Sequence, residues 1–168
     1  MTPRELEGRR AHFARVASRR PLAVSLVGCG KAKRAHACKA EALYTGSLFT
    51  ASLSHARATS DVVFVVSALH GLVELDEVLE PYDAKLEPAQ GYEWAQRVLA
   101  SLNRTIGHWP RQITILAGAT YAQPLRLVML GKCLSPLDGL TLGARLRWLT
   151  LRRAERIRAA DFARSNPQ

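Results

Sequence analysis

The chain is poor in the features that would take it out of the ordinary globular class. Aromatic residues make up 7% of 168 positions, and no apolar run reaches the roughly 18 uncharged residues that a membrane-spanning helix needs. Cysteine occurs three times, at Cys29, Cys38 and Cys133; an odd number at these spacings makes no disulfide framework and fits reduced thiols. Cys29, His36 and Cys38 lack the Cys-x-x-Cys pairing of a structural zinc site, so neither a metal nor another cofactor is expected. Behind its basic start the chain has no apolar stretch, so we expect no secretory signal and a cytoplasmic protein with no membrane partner. Acidic side chains are scarce, 14 against 24 Lys and Arg, for a net charge of +10.

What is present fits one α/β domain spanning residues 1–168. An apolar content of 48% and this length suffice for a single buried core, and no repeat or low-complexity segment divides the chain. Three short apolar, β-branched runs read as buried strands: Leu22–Val27, Asp61–Val66 and Gln112–Gly118. Helical periodicity recurs over Ser47–Ala58, 89–106 and about 120–130, with Gly107 suited to end the second helix. Strands alternating with helices predict a small, mostly parallel sheet flanked by helices.

The charge is unevenly spread. Residues 1–20 carry six basic and two acidic side chains and read as a basic helix that Pro21 breaks. Residues 61–90 reverse the balance, one basic against seven acidic, and residues 121–168 carry nine against three, much of it on a basic helix over about 141–161. Basic ends suit a polyanion, since each neutralised phosphate releases counterions; solubility alone is the alternative. The glycine-bounded turn Pro136–Gly139 before the last helix could present Arg145, Arg147, Arg152 and Arg153 to a nucleic-acid backbone, or be packed through Leu140, Leu142, Leu146 and Leu149.

In open parallel sheets, ligands bind beyond the carboxyl ends of the strands. Those ends are Gly28-Cys29-Gly30-Lys31-Ala32-Lys33, Ser67-Ala68-Leu69-His70-Gly71 and Ala117-Gly118-Ala119-Thr120-Tyr121, and they should converge. Gly30 permits close backbone approach, and Lys31 and Lys33 suit an anion, either phosphate or carboxylate; the loop is neither a Walker loop nor a dinucleotide fingerprint. Cys29 beside Lys31 is either a reactive thiolate or a buried inert thiol. Ser67 reads as stabilising its turn, and His70 as bonding a ligand or the acidic loop. That loop, with Glu74, Asp76, Glu77 and Glu80-Pro81-Tyr82-Asp83, could balance the basic ends or orient a lysine or base edge through Asp76 or Asp83.

The stretch Val65-Val66-Ser67-Ala68-Leu69-His70-Gly71-Leu72-Val73, followed by Leu79-Glu80-Pro81-Tyr82-Asp83-Ala84-Lys85-Leu86, resembles the hallmark of YaaA-type proteins. In these an apolar strand leads to Ser-x-x-(Tyr/His)-Gly-Leu and then to Pro-Tyr and a leucine. The Trp94 helix and the Ala117–Tyr121 strand end match in order, and the opening Cys29-Gly30-Lys31-x-Lys33 with Leu43-Tyr44-Thr45-Gly46-Ser47-x-Phe49 is similar to a shorter branch. The likeness spans roughly residues 22–150. It implies a YaaA-like α/β fold, DNA binding and a link to peroxide stress, although the chain lacks the Ser-Pro-Ala-Lys opening of the longer members. More remotely, the order Cys29, Lys31, Tyr44, Ser67, His70 resembles that in archaeosine synthase, at different spacings.

Together these features lead us to expect a nucleic-acid- or nucleotide-binding protein that acts on a base or glycosidic bond. Lys31 and Lys33 would hold phosphate, His70 or Asp83 would serve as acid–base, and Tyr44 or Tyr82 would stack on or bond the base, with Cys29, Gly30, Ser67, Gly71 and Tyr121 completing the pocket. The rivals are a non-catalytic DNA-binding stress protein and a binding module for a small carboxylate metabolite.

Overall fold

The computed structural model describes residues 22–165 together with Glu7, Gly8 and Ala11. The basic helix expected over residues 1–20 therefore lies outside the described residues except at those three positions, which are helical. The ordered chain runs β1 (Ala23–Gly28), β2 (Cys38–Lys39), α1 (Ala40–Leu43), α2 (Ser47–Thr59), β3 (Val62–Ser67), β4 (Gly71–Glu74), β5 (Val78–Leu79), α3 (Gly91–Ile106), β6 (Gln112–Leu116), α4 (Ala119–Val128) and α5 (Leu142–Ser165). A single 3₁₀ turn, Pro88–Gln90, leads into α3.

The fold is the mixed α/β architecture expected. Four strands form one sheet in the order β4-β3-β1-β6. β1 pairs in parallel with β3, Leu26 opposite Phe64, and with β6, Leu26 opposite Ile115. The alternation of β1 decides which layer each residue joins. Val24 and Leu26 face α3 and α4, packing with Trp94, Val98, Leu102 and Leu125, whereas Val27 faces α2 and α5 with Phe49, Leu53 and Leu149. A strand covered on both faces reads as a near-continuous apolar run, and β1 does. Its one polar side chain, Ser25, is wholly buried and bonds the Ser60 hydroxyl at 2.7 Å. Asp61 accepts the Ala23 amide at 2.8 Å and so ties the start of β1 to that of β3.

Two features go beyond the periodicity. β4 turns back antiparallel on β3, with Ser67 opposite Gly71, so an edge of the sheet is a tight hairpin rather than a loop. The segment after β1, which has no apolar period, forms a two-residue ladder with β5, pairing Cys38 with Leu79, and the single turn α1. α3 ends at Gly107 in the left-handed region, φ +82°, as its position predicts.

The connections set the position of the site. From β1 the chain leaves through α2 on one face of the sheet; from β6 it leaves through α4 on the other. The carboxyl ends of these adjacent strands thus part in opposite directions, which opens a crevice between them. α5 lies over α2, with Leu149 as its one buried side chain. No described helix is long and apolar enough to cross a membrane.

Gly28 marks where this crevice begins. A Cβ there would stand 2.9 Å from the Ala117 Cβ and 3.2 Å from its Cα. Both belong to the end of the neighbouring strand, so neither can yield without moving the sheet. Gly28→Ala is expected to destabilise the fold by about 1–3 kcal/mol, read as a lower urea midpoint at unchanged slope; an unshifted midpoint would mean the strand ends are loosely packed.

Candidate functional site

The turns after β1 and β6 meet, and the end of β3 stands behind them. Cys29, after β1, brings its Sγ to 3.3 Å from the Tyr121 hydroxyl on the first turn of α4, across the crevice between β1 and β6. The Tyr121 ring rests against Trp94, centroids 5.3 Å apart, and the Trp94 indole N–H donates to the Ser67 carbonyl at 2.8 Å, anchoring α3 to the end of β3.

Ser67 organises the next layer. Its buried hydroxyl oxygen accepts the amides of Leu69 at 3.2 Å and His70 at 3.1 Å. The hydroxyl proton is therefore left for the Tyr82 oxygen, 2.7 Å away. Tyr82 also shares a 2.7 Å hydrogen bond with the buried Tyr44 hydroxyl. In this way the acidic segment folds back over the sheet rim and is tied to it by one phenol. Lys33 covers the same ring, its Nζ 4.4 Å from the Tyr82 centroid, and its backbone bridges to Tyr44.

Burial raises all three phenols. Tyr82 is pushed up to about 12 even though its bonds from Ser67 and Tyr44 favour the phenolate. Tyr44 is raised by burial, aided by its bond to Tyr82, and Tyr121 by burial and its bond to Cys29. Near neutral pH the rim therefore offers neutral hydroxyls.

Beside this wall lies a pocket of about 320 Å³, lined among others by Cys29, Lys31, Lys33, Asp83, Lys85 and Tyr121. Three lysines and one aspartate are among its lining, and Thr120 and Tyr121 bring the N-terminal turn of the ten-residue α4, with its positive dipole end, to the same edge. Such a lining can hold a phosphate against the lysines, offer hydroxyl and thiol groups to a polar ring, and accept a proton at Asp83. Among the described residues no three His, Cys, Asp or Glu side chains gather as a metal site.

Of the residues expected at the site, Cys29, Gly30, Lys31, Lys33, Asp83 and Tyr121 line the pocket. Tyr44, Ser67 and Tyr82 form the hydrogen-bonded wall behind it. His70 is elsewhere: its ring stands edge-on to Tyr82, centroids 4.9 Å apart, and borders a second hollow of about 330 Å³ with Gly71, Arg97 and Arg104. The cause is the β3–β4 hairpin, where Gly71 takes φ +70° and carries the loop away from the crevice. Arg145 turns inward, donating from Nε to the Leu137 carbonyl at 3.1 Å and lying against Gly118. Arg152 stacks on Trp148 and pairs with Glu155 at 2.7 Å, whereas Arg147 and Arg153 are exposed. Sequence reasoning passed over Lys85. Its signal was its being the only basic side chain in the acidic segment 61–90.

Fold and site together define an open, mostly parallel α/β protein with its pocket at the point where the strand order reverses. Residues 24–151 match the model of a family of unknown function (DUF6884), and the chain belongs to that family. Comparison with curated proteins gives no match, and neither does comparison with solved structures.

The raised phenols make alkaline stability a test of the wall. A phenol whose value is raised on folding contributes stability that is complete below the ordinary 10 and is lost as pH climbs through the folded value, about 12 for Tyr82. Folded protein should therefore keep these three phenols un-ionised at pH 11 by ultraviolet titration, and Tyr82→Phe should cost about 1–3 kcal/mol at pH 7 while flattening the alkaline loss. Phenolate absorption from all four tyrosines in folded protein at pH 10 would contradict the wall.

Proposed function

We propose that the strand-end pocket binds a nucleotide, free or as a base exposed from a nucleic acid, and that it acts on the glycosidic bond. The observation that carries this reading is the asymmetry of the lining: Lys31, Lys33 and Lys85 with a single carboxylate, Asp83, around a pocket backed by neutral phenols and a thiol. Phosphate is the group such an ammonium cluster prefers, and hydroxyl-bearing rings suit the edges and faces of a base. Asp83 is the pocket's proton acceptor, suited to activate water: the water oxygen bonds to the sugar carbon, its proton passes to Asp83, and the glycosidic electron pair leaves on the base nitrogen, which takes a proton from solvent. His70, turned to the other side of Tyr82, has no part in this step.

The resemblance to YaaA-type proteins adds support. The two halves of that pattern, Val65–Val73 and Leu79–Leu86, are joined by the Ser67–Tyr82 hydrogen bond. A shared reason for both halves is then the construction of this wall.

Thermal unfolding with nucleotides, free bases, short single and double strands and small carboxylates tests the reading. A nucleotide at about 100 times its dissociation constant should raise the midpoint by about 5–10 °C. Lys31→Ala should weaken that binding about 10- to 100-fold. Asp83→Asn should retain binding and abolish release of the base, followed by chromatography. Protection by small carboxylates alone, or oligonucleotide binding indifferent to Lys31→Ala, would refute it.

A further inference from the structure

Away from this pocket, a polar groove runs beside the apolar contact of α2 with α5. Ser47, Thr50 and Ser54 follow i, i+3, i+7 spacing and so share one face of α2. Across a cleft of about 420 Å³ they face Thr150, Arg153 and Arg156 of α5, and no carboxylate lines it. All of these but Arg156 are exposed, so the cleft is a solvent-open groove beside the apolar contact of Phe49, Leu53 and Leu149.

The two guanidinium groups are presented differently. Arg156 donates from Nη1 to His55 Nδ1 at 2.8 Å. A guanidinium has only donors, so Nδ1 carries no proton, and the imidazole is neutral with its hydrogen on Nε2. Burial, reinforced by Arg156 and Arg152, lowers the pKa of His55 and keeps it in that form. The His55 ring is held edge-on to Trp148, centroids 5.1 Å apart, and Arg152 lies over the indole. Arg156 is thus oriented through one nitrogen while its other donors stay available. Arg153, on the next turn, has no side-chain hydrogen bond or ion pair among the described residues. The two acidic residues of α5 are already engaged, Glu155 with Arg152 and Asp161 with Arg164. On the opposite wall, Thr50 donates back to Gly46 and Thr150 to Leu146, which leaves the Ser47 and Ser54 hydroxyls as the uncommitted donors of the cleft.

We propose that the α2–α5 cleft is a phosphate-binding site separate from the strand-end pocket, with Arg153 and Arg156 taking the phosphate oxygens and Ser47 and Ser54 completing the shell. The charge is complementary, two cations without a lining anion, one of them oriented by His55, and bonds from guanidinium to phosphate are of the strong, charge-assisted kind. The phosphate comes either from a nucleic-acid strand or from free phosphate or a phosphomonoester.

The test follows the arginine Nε–Hε resonances of the full chain during titration with inorganic phosphate and, separately, with a single-stranded oligonucleotide. Phosphate should shift the Arg153 and Arg156 signals along a saturating curve. Arg153→Gln and Ser54→Ala should each weaken that binding, the first by about tenfold or more, while Lys31→Ala leaves it unchanged. If Arg153→Gln also weakens the oligonucleotide, the phosphate is that of a strand; if it does not, the site takes the free or monoester form. Shifts that never saturate, or an affinity that Arg153→Gln leaves intact, would overturn the proposal whether or not the strand-end pocket binds nucleotides.

Discussion

Ser67 stands at the carboxyl end of β3 with its side chain wholly buried, and its one hydroxyl serves three partners. It accepts two amides of the turn that follows and passes its proton to Tyr82. A buried hydroxyl must satisfy itself locally, and here the satisfaction is structural: the acceptor lone pairs shape the β3–β4 turn, and the donated proton fastens a segment 15 residues away. Without it Tyr82, which anchors the segment bearing Asp83 and Lys85, would keep only its bond to Tyr44. The Ser67 carbonyl holds Trp94 in turn, so the same residue connects strand, loop and helix.

The crevice that this arrangement encloses has a topological origin. β1 and β6 are parallel neighbours whose following helices go to opposite faces of the sheet, so neither helix closes the gap above them. Gly28 keeps the strand ends close below it, and Cys29 and Tyr121 meet across it. The lysines gather there because they follow β1 within five residues of its end and because the acidic segment delivers Lys85 from the other side. The wall of phenols stays neutral because it is buried, which leaves the charge of the pocket to the lysines and Asp83.

α5 follows a different logic. It buries a single leucine, and its contact with α2 runs through an aromatic edge and a guanidinium on an imidazole. A neutral His55 is a condition of that contact, since a second proton on the ring would set two donors against each other. The basic helix is thereby attached to the core with part of its charge still facing outward.

The amino-acid pattern alone was enough for β1, β3 and β6 and for the three helices that cover them, because apolar period and β-branching are local and a doubly covered strand cannot be polar. It was enough, too, for the meeting of the turns after β1 and β6, which any open parallel sheet imposes. It did not contain β4, a four-residue strand whose identity lies in its pairing with β3, nor the side of Tyr82 to which His70 is carried. Tyr44 and Tyr82 were legible as site residues but not as partners of each other. Arg145 read as a solvent-facing phosphate contact, yet a carbonyl at Leu137 turns it inward. His55 and Arg156, separated by 101 residues, carry no mark of their contact in the sequence. The division has one physical cause: hydrophobic periodicity is written within a few neighbouring residues, whereas the direction of a hydrogen bond depends on which distant groups packing brings within 3 Å.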